Sequence, residues 1–168
     1  MSEQMRARLV PGLISTDDII PARYKHMYTE PAQLAPHVFE ARFPGLAQTL
    51  RPGDVLIGSD VFGIGSSREQ AVSALLACGV RMVVAPEFGR IFYRNSWNLG
   101  LAAIQADTEA FVEGQPLVVD LATGRFSGAP GLPSFAAPPR MLLDMVEAGG
   151  LLELVRRGVD PGVMGARS

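Results

Sequence analysis

The densest set of groups able to do chemistry is Phe62-Gly63-Ile64-Gly65-Ser66-Ser67-Arg68-Glu69-Gln70. Two adjacent hydroxyls, a guanidinium and two glycines fall where a glycine-bearing loop meets an apolar segment of helical period, Ala71, Val72, Leu75 and Leu76. A helix start leaves backbone N–H groups free and turns the positive end of its dipole toward an incoming anion. Gly63 and Gly65 allow close approach of backbone to a ligand, and Arg68 offers a planar fork that pairs a carboxylate through two hydrogen bonds. The chemistry indicated is binding of a carboxylate or phosphate, or loss of a proton from one hydroxyl in a strong enough field. The same residues satisfy a purely structural pattern. Ser66 and Glu69 read as the S-x-x-E capping box, and Ser67 with Gln70 as its S-x-x-Q form; both roles can hold together. Two nucleotide-binding alternatives fail on spacing. Walker A needs a lysine that is absent after Gly65, and Arg68 stands where the dinucleotide fingerprint needs its third glycine.

Other polar residues say less by themselves. Asp17, in Ser15-Thr16-Asp17-Asp18, reads as an N-cap for a turn beginning at Ile19-Ile20. His26 reads as a surface histidine and His37 as structural. Arg23 either pairs with an acidic residue or faces a site. Arg90, Tyr93, Arg94 and Asn95 read as helix-surface and packing residues, and Trp97 as core or interface. The lone cysteine, Cys78, excludes an intrachain disulfide and cannot build a zinc site or hold an iron–sulfur cluster, which needs three or four thiolates. It reads as a buried small hydrophobe.

The elements that must position these groups are clearest in the middle of the chain. Arg51-Pro52-Gly53-Asp54 is a turn ahead of the short buried strand Val55-Leu56-Ile57. Residues 58–65 form the loop, 66–78 a helix ended by Gly79, and 80–85 an apolar strand of the kind covered on both faces. Pro86 breaks that strand, 88–98 is a second helix with Gly100 beyond it, and 101–104 another strand. This order is two successive β-α-β crossovers and implies a parallel sheet. Before it, Pro21, Pro31, Pro36 and Pro44-Gly45 punctuate loops and short helices, one of them over 36–43. After it, 117–121 and 125–126 read as antiparallel strands, 128–139 as an ordered loop, 141–148 and 151–157 as helices, and the tail from Gly158 as loose.

With 168 residues, 48% of them apolar and 19% charged, the chain is globular and reads as one domain over 1–168. A net charge of −2 with no basic run argues against nucleic acid or an anionic membrane as partner. No segment reaches the roughly 20 apolar residues of a membrane helix, nor does the N-terminus resemble a signal peptide. These features, with one cysteine, suit the cytoplasm.

Gly65-Ser66-Ser67-Arg68-Glu69 resembles the G-S-S-R-E signature of the mobile domain in the aconitase superfamily. Thr16-Asp17-Asp18-Ile19-Ile20-Pro21-Ala22-Arg23-Tyr24 and 85–95, followed by Leu99-Gly100-Leu101, resemble two further family segments in the right order. The resemblance spans residues 14–105, and a free-standing chain of this size is similar to the small-subunit branch of the isopropylmalate isomerase type. It implies an α/β fold, the three-layer β/β/α swivelling domain with a central parallel sheet, a second antiparallel sheet and a layer of helices. It implies a hydro-lyase acting on a 2- or 3-substituted malate, with homoaconitate, dimethylmalate or maleate as alternatives, active only in complex with a large subunit. That partner, in a heterodimer or heterotetramer, would carry a [4Fe–4S] cluster, and this chain none; alone it would self-associate through apolar surface meant for its partner. Ser66 is implied as the base, with Ser67, Arg68, Asp17, Lys25 and His26 binding substrate, the last two in the loop that reads the variable group. A non-catalytic carboxylate-binding module is the competing reading. Ile64 and Gln70 depart from the family pattern, where cysteine or glutamate and histidine are usual, and Lys25-His26 is more polar than the resemblance implies beside a pocket for an isopropyl group.

Overall fold

A computed structural model describes residues 4–66 and 68–158. Its strands are β1 (Gln4–Val10), β2 (Ile14–Ser15), β3 (Asp54–Gly58), β4 (Val61–Ile64), β5 (Met82–Ala85), β6 (Glu87–Phe88), β7 (Ala102–Gln105), β8 (Pro116–Asp120) and β9 (Arg125–Ser127). Its helices are α1 (Thr16–Ile19), α2 (Pro31–Leu34), α3 (Leu46–Thr49), α4 (Glu69–Ala77), α5 (Arg90–Leu99), α6 (Arg140–Ala148) and α7 (Leu151–Arg156), with 3₁₀ turns at Ala22–Lys25 and Ala35–His37. None of the described helices is long and apolar enough to cross a membrane.

The larger sheet has the order β7-β5-β3-β1-β8-β9. Its first four strands are parallel, and β8 and β9 add an antiparallel margin. The two expected crossovers, through α4 and α5, build its parallel half. Alternation separates two apolar clusters. Leu56 and Val83 pack with Val72 and Leu75 of α4, whereas Val55, Ile57, Met82 and Val84 pack with Trp97, Met145 and Leu154. Trp97 is therefore core.

Three strands of this sheet stop at a proline or glycine and resume a few residues later in a smaller sheet. Past Pro11-Gly12, β1 is followed by β2; past Gly58, β3 by β4; past Pro86, β5 by β6. The smaller sheet, β2-β4-β6, is parallel, which corrects the expected antiparallel second layer. It is parallel because each strand inherits its direction from a parallel strand upstream. The 58–65 loop accordingly contains β4, and α5 starts only at Arg90 because Glu87–Phe88 pairs with β4.

Strand β1 was not anticipated. Its alternating face carries Arg6 and Arg8, which converge on the buried carboxylate of Asp54: Arg6 donates through Nε and Nη2 at 2.8 and 2.7 Å, and Arg8 through Nη1 at 3.3 Å. The Arg51 N–H adds a bond of 3.0 Å. The expected helix over 36–43 is also absent. Phe39 adopts φ +56, a left-handed conformation that no helix continues through. Its ring is fully buried, and its N–H donates to Ile19 O at 2.9 Å. The tail beyond Gly158 lies outside the described residues.

Candidate active site

Strands β2 and β4 are parallel neighbours, so the chain leaves both at the same edge of the smaller sheet. The carboxyl ends of parallel strands are where open α/β folds place their ligands. Out of β2 comes α1 with Asp17; out of β4 come Gly65, Ser66 and Arg68. A register shift between Ile14 and Ser15 turns the first of these exits.

Asp17 does not cap α1. Ser15 does so, its Oγ accepting the Asp18 N–H at 3.0 Å while Asp18 Oδ2 accepts the Ser15 N–H at 2.8 Å. That capping box leaves the Asp17 carboxylate projecting, and it pairs with Nη2 of Arg68. Arg68 Nη1 donates to Ile20 O at 3.2 Å. The Arg68 side chain is 14% exposed and that of Asp17 63%, so the ion pair is shielded at its guanidinium and open to solvent at its carboxylate.

The capping reading of Ser66 is also corrected. Helix α4 begins at Glu69 with Arg68 as its N-cap, and no side chain caps it, so the Ser66–Glu69 box does not form. The Ser66 side chain is exposed, without a hydrogen-bond partner among the described residues. Ser67, the other half of the expected pair, lies outside the described residues. Gly63 and Gly65 also have a packing reason. A Cβ on Gly63, at φ +86, would sit 2.3 Å from Phe92 Cγ, and one on Gly65, at φ +115, 3.0 Å from Thr16 Oγ1. They let the β4 exit lie against α5 and α1.

A cleft of about 590 Å³ is lined by Ala22, Lys25, His26, Ser66, Arg68, Glu69 and Gln70. It thus unites Lys25 and His26, both exposed on and just after the 3₁₀ turn, with Ser66 and Arg68. Asp17 borders it through Arg68. Glu69, whose box with Ser66 does not form, lines the cleft with Gln70. A second cleft of about 410 Å³, beside the first along the chain, runs between Gly63-Ile64-Gly65 and Arg90, Ile91 and Arg94. Spacing placed those two arginines on the helix surface, where they are, but could not show what they face. Arg23 settles as a structural partner, donating to Glu40 Oε1 at 2.6 Å. With its fork, an ammonium, a hydroxyl and an imidazole around one opening, the arrangement can bind a small polyanionic acid and present a hydroxyl to it.

No group of three or more metal-ligating side chains occurs among the described residues. Cys78 donates its S–H to Ala35 O at 3.3 Å, and burial pushes its thiol up to about 11. A neutral, inward-turned thiol does not fit an iron–sulfur cluster.

A three-layer α/β fold with a mostly parallel central sheet defines a class of swivelling domain, and comparison bears the fold out. Residues 13–109 match the aconitase C-terminal domain family, and the chain belongs to it. Within that family its relatives are specific. It is 41% identical to the 3-isopropylmalate dehydratase small subunit 2 of Archaeoglobus fulgidus, across 88% of this chain and 90% of that protein. It is 42% identical to the 3-isopropylmalate dehydratase small subunit of Deinococcus deserti, across 87% and 82%. A crystal structure of 3-isopropylmalate dehydratase from Methanocaldococcus jannaschii matches with a TM-score of 0.85 and 31% identity, covering both chains completely.

Proposed function

We propose that this chain is the small subunit of a 3-isopropylmalate dehydratase, one swivelling unit over residues 1–168 that works in the cytoplasm by closing on a large subunit. The observation that carries the reading is the meeting of Ser66, Arg68, Lys25 and His26 around one cleft, with Asp17 paired to Arg68. Ser66 is the base. A serine hydroxyl is a weak one, and its alkoxide is favoured by the Arg68 guanidinium and the start of α4 three residues on, which no side chain caps. Its Oγ takes the proton from the carbon α to a substrate carboxylate and returns it when water is re-added. Arg68 holds a carboxylate through N–H groups not engaged by Asp17 and Ile20, Ser67 adds a hydroxyl to that contact, and Asp17 fixes the fork's plane. Lys25 and His26 read the substituent. A [4Fe–4S] cluster on the large subunit would supply Lewis-acid polarisation of the substrate's hydroxyl. Exposed Met27 and Ile91, flanking the two clefts, support a surface that another chain covers.

The test is co-expression with a large subunit and anaerobic reconstitution, assaying dehydration and hydration of 3-isopropylmalate and smaller malate homologues. Turnover of 3-isopropylmalate is expected, and Ser66→Ala should leave assembly intact while lowering turnover by several orders of magnitude. Near-normal turnover in that variant refutes the base, and substrate binding with no turnover in the wild-type complex makes the chain a carboxylate-binding module.

A further inference from the structure

The turn that presents Lys25 and His26 has little regular structure to hold it: four residues of 3₁₀ helix between Pro21 and a stretch of coil. A compact cluster ties it down. The Tyr24 hydroxyl donates to Glu40 Oε1 at 2.6 Å, Arg23 donates to the same oxygen at 2.6 Å, and His37 Nδ1 lies 2.8 Å from Oε2. The His37 ring stacks on Tyr24 at 4.2 Å and on Tyr28 at 5.5 Å, so the carboxylate closes a ring sandwich spanning both ends of the turn. Arg23 Cζ covers the outer face of Tyr24 at 4.8 Å. The Tyr24 hydrogen bond, aided by His37 and Arg23, holds the Glu40 carboxyl below its usual range against the opposing effect of burial, so it is an anion when it does this.

Glu40 reaches the cluster because of the residue before it. Phe39 holds φ +56 with its side chain fully buried and its N–H bonded to Ile19 O. A phenylalanine in the left-handed region costs of order 1 kcal/mol and persists only where its surroundings over-determine it. The bond to Ile19 anchors this bracket to α1, the helix that carries Asp17. Arg42, donating to Asp18 Oδ2 at 3.3 Å, adds a second tie.

We infer that Glu40 is a positioning residue for substrate discrimination: without touching substrate, its carboxylate locks the Tyr24 turn so that Lys25 and His26 stand at a fixed place in the cleft relative to Arg68. The inference rests on the proposed function for its kinetic arm but not for its structural one. The structural arm is amide hydrogen exchange on the full chain. In Glu40→Gln, the Met27 and Tyr28 amides, both bonded to Tyr24 O at 3.2 Å, should exchange about tenfold faster while those of β3 stay unchanged. Unchanged exchange at Met27 and Tyr28, or an equal rise across β3, would overturn the lock. The kinetic arm uses the reconstituted complex with 3-isopropylmalate and 3-methylmalate. Glu40→Gln should raise KM for 3-isopropylmalate about tenfold with kcat within about twofold, and raise KM for 3-methylmalate less. Tyr24→Phe should act in the same direction, and the double variant should be no worse than Glu40→Gln, since the two residues share the Tyr24–Glu40 contact that each variant weakens. A fall in kcat alone, equal KM changes for the two substrates, or additive effects would each refute it. If the wild-type complex does not turn over 3-isopropylmalate, the functional proposal fails and the exchange arm still decides whether Glu40 locks the turn.

Discussion

Replacing Arg68 by lysine keeps the charge and removes the fork, which separates two contributions that the site combines. In the free chain Arg68 serves two acceptors in different directions, Asp17 Oδ1 through Nη2 and Ile20 O through Nη1. A lysine ammonium reaches one of them at a time. Left with Asp17, it deprives the Ile20 carbonyl of its donor, a loss of about 1 kcal/mol. The ion pair itself contributes little, because the Asp17 side chain is 63% exposed and screened by water. Folding should therefore weaken by only about 1 kcal/mol, or roughly 2–4 °C in Tm for a chain of this size. Binding should suffer more. Two of the five guanidinium N–H groups are engaged, leaving three to meet a substrate carboxylate side-on, and an ammonium offers a single point. Losing one of two charge-assisted hydrogen bonds costs about 1.5–3 kcal/mol, which is roughly a 10- to 100-fold rise in KM. Initial rates of the reconstituted complex across a 3-isopropylmalate series, beside a thermal melt of the subunit, measure both quantities. An unchanged KM, or a fall in kcat at constant KM, would refute the assignment of Arg68 to substrate binding, and a large Tm loss would show that its contacts are chiefly structural.

Three further outcomes follow from the packing. Cys78, its thiol raised from 9.0 to about 11 by burial, should alkylate at neutral pH about 100-fold more slowly than an unperturbed thiol; free-thiol rates in the native chain would contradict its burial. Gly63→Ala forces a methyl to 2.3 Å from Phe92 at a φ of +86, and should lower stability in urea by about 2–4 kcal/mol; an unchanged midpoint would mean the β4 exit moves freely. Burial opposes ionisation of Asp54, but bonds from Arg6, the Arg51 N–H and Arg8 outweigh it and hold its pKa below the usual carboxylate value. The unfolded chain then takes up the proton first, so the stability from Asp54 is complete above pH about 4 and is lost as pH falls through the lower folded value. Asp54→Asn should flatten that acid limb in urea midpoints, and identical limbs in the two proteins would rule the linkage out.

The crossovers through α4 and α5 were legible because their strands are continuous apolar runs and Gly79 and Gly100 mark the helix ends. Strand β1 was not, since Arg6 and Arg8 look like surface charge until Asp54, 46 or more residues away, supplies a buried partner. The smaller sheet escaped for a different reason: strands of two to four residues carry too few side chains to show a period. At the site, the types and spacing of Ser66 and Arg68 singled out this loop, as an anion site or as a capping pattern. Nothing local distinguished Asp17 as a partner from Asp17 as a cap, because Ser15, Asp17 and Asp18 are all good N-terminal residues and only the fold decides which one caps. Lys25 and His26 were reached by family resemblance alone. Glu40 gave no signal, because its direction depends on a left-handed Phe39.

The two halves of the cleft are built differently, and the difference bears on what each can change. Ser66 and Arg68 leave a parallel strand whose exit is wedged by Gly63 against Phe92 and by Gly65 against Thr16, contacts too close to admit even a methyl group at Gly63. Lys25 and His26 hang from a turn secured by side chains: one carboxylate, three stacked rings and a guanidinium. If Ser66 transfers the proton and Lys25 and His26 read the substituent, as proposed, substitutions in the second half can alter which substituent is accepted while leaving the first in register. The polar Lys25-His26 pair then belongs to the adjustable half, and its effect on substrate choice does not require any change in the reaction proposed for Ser66.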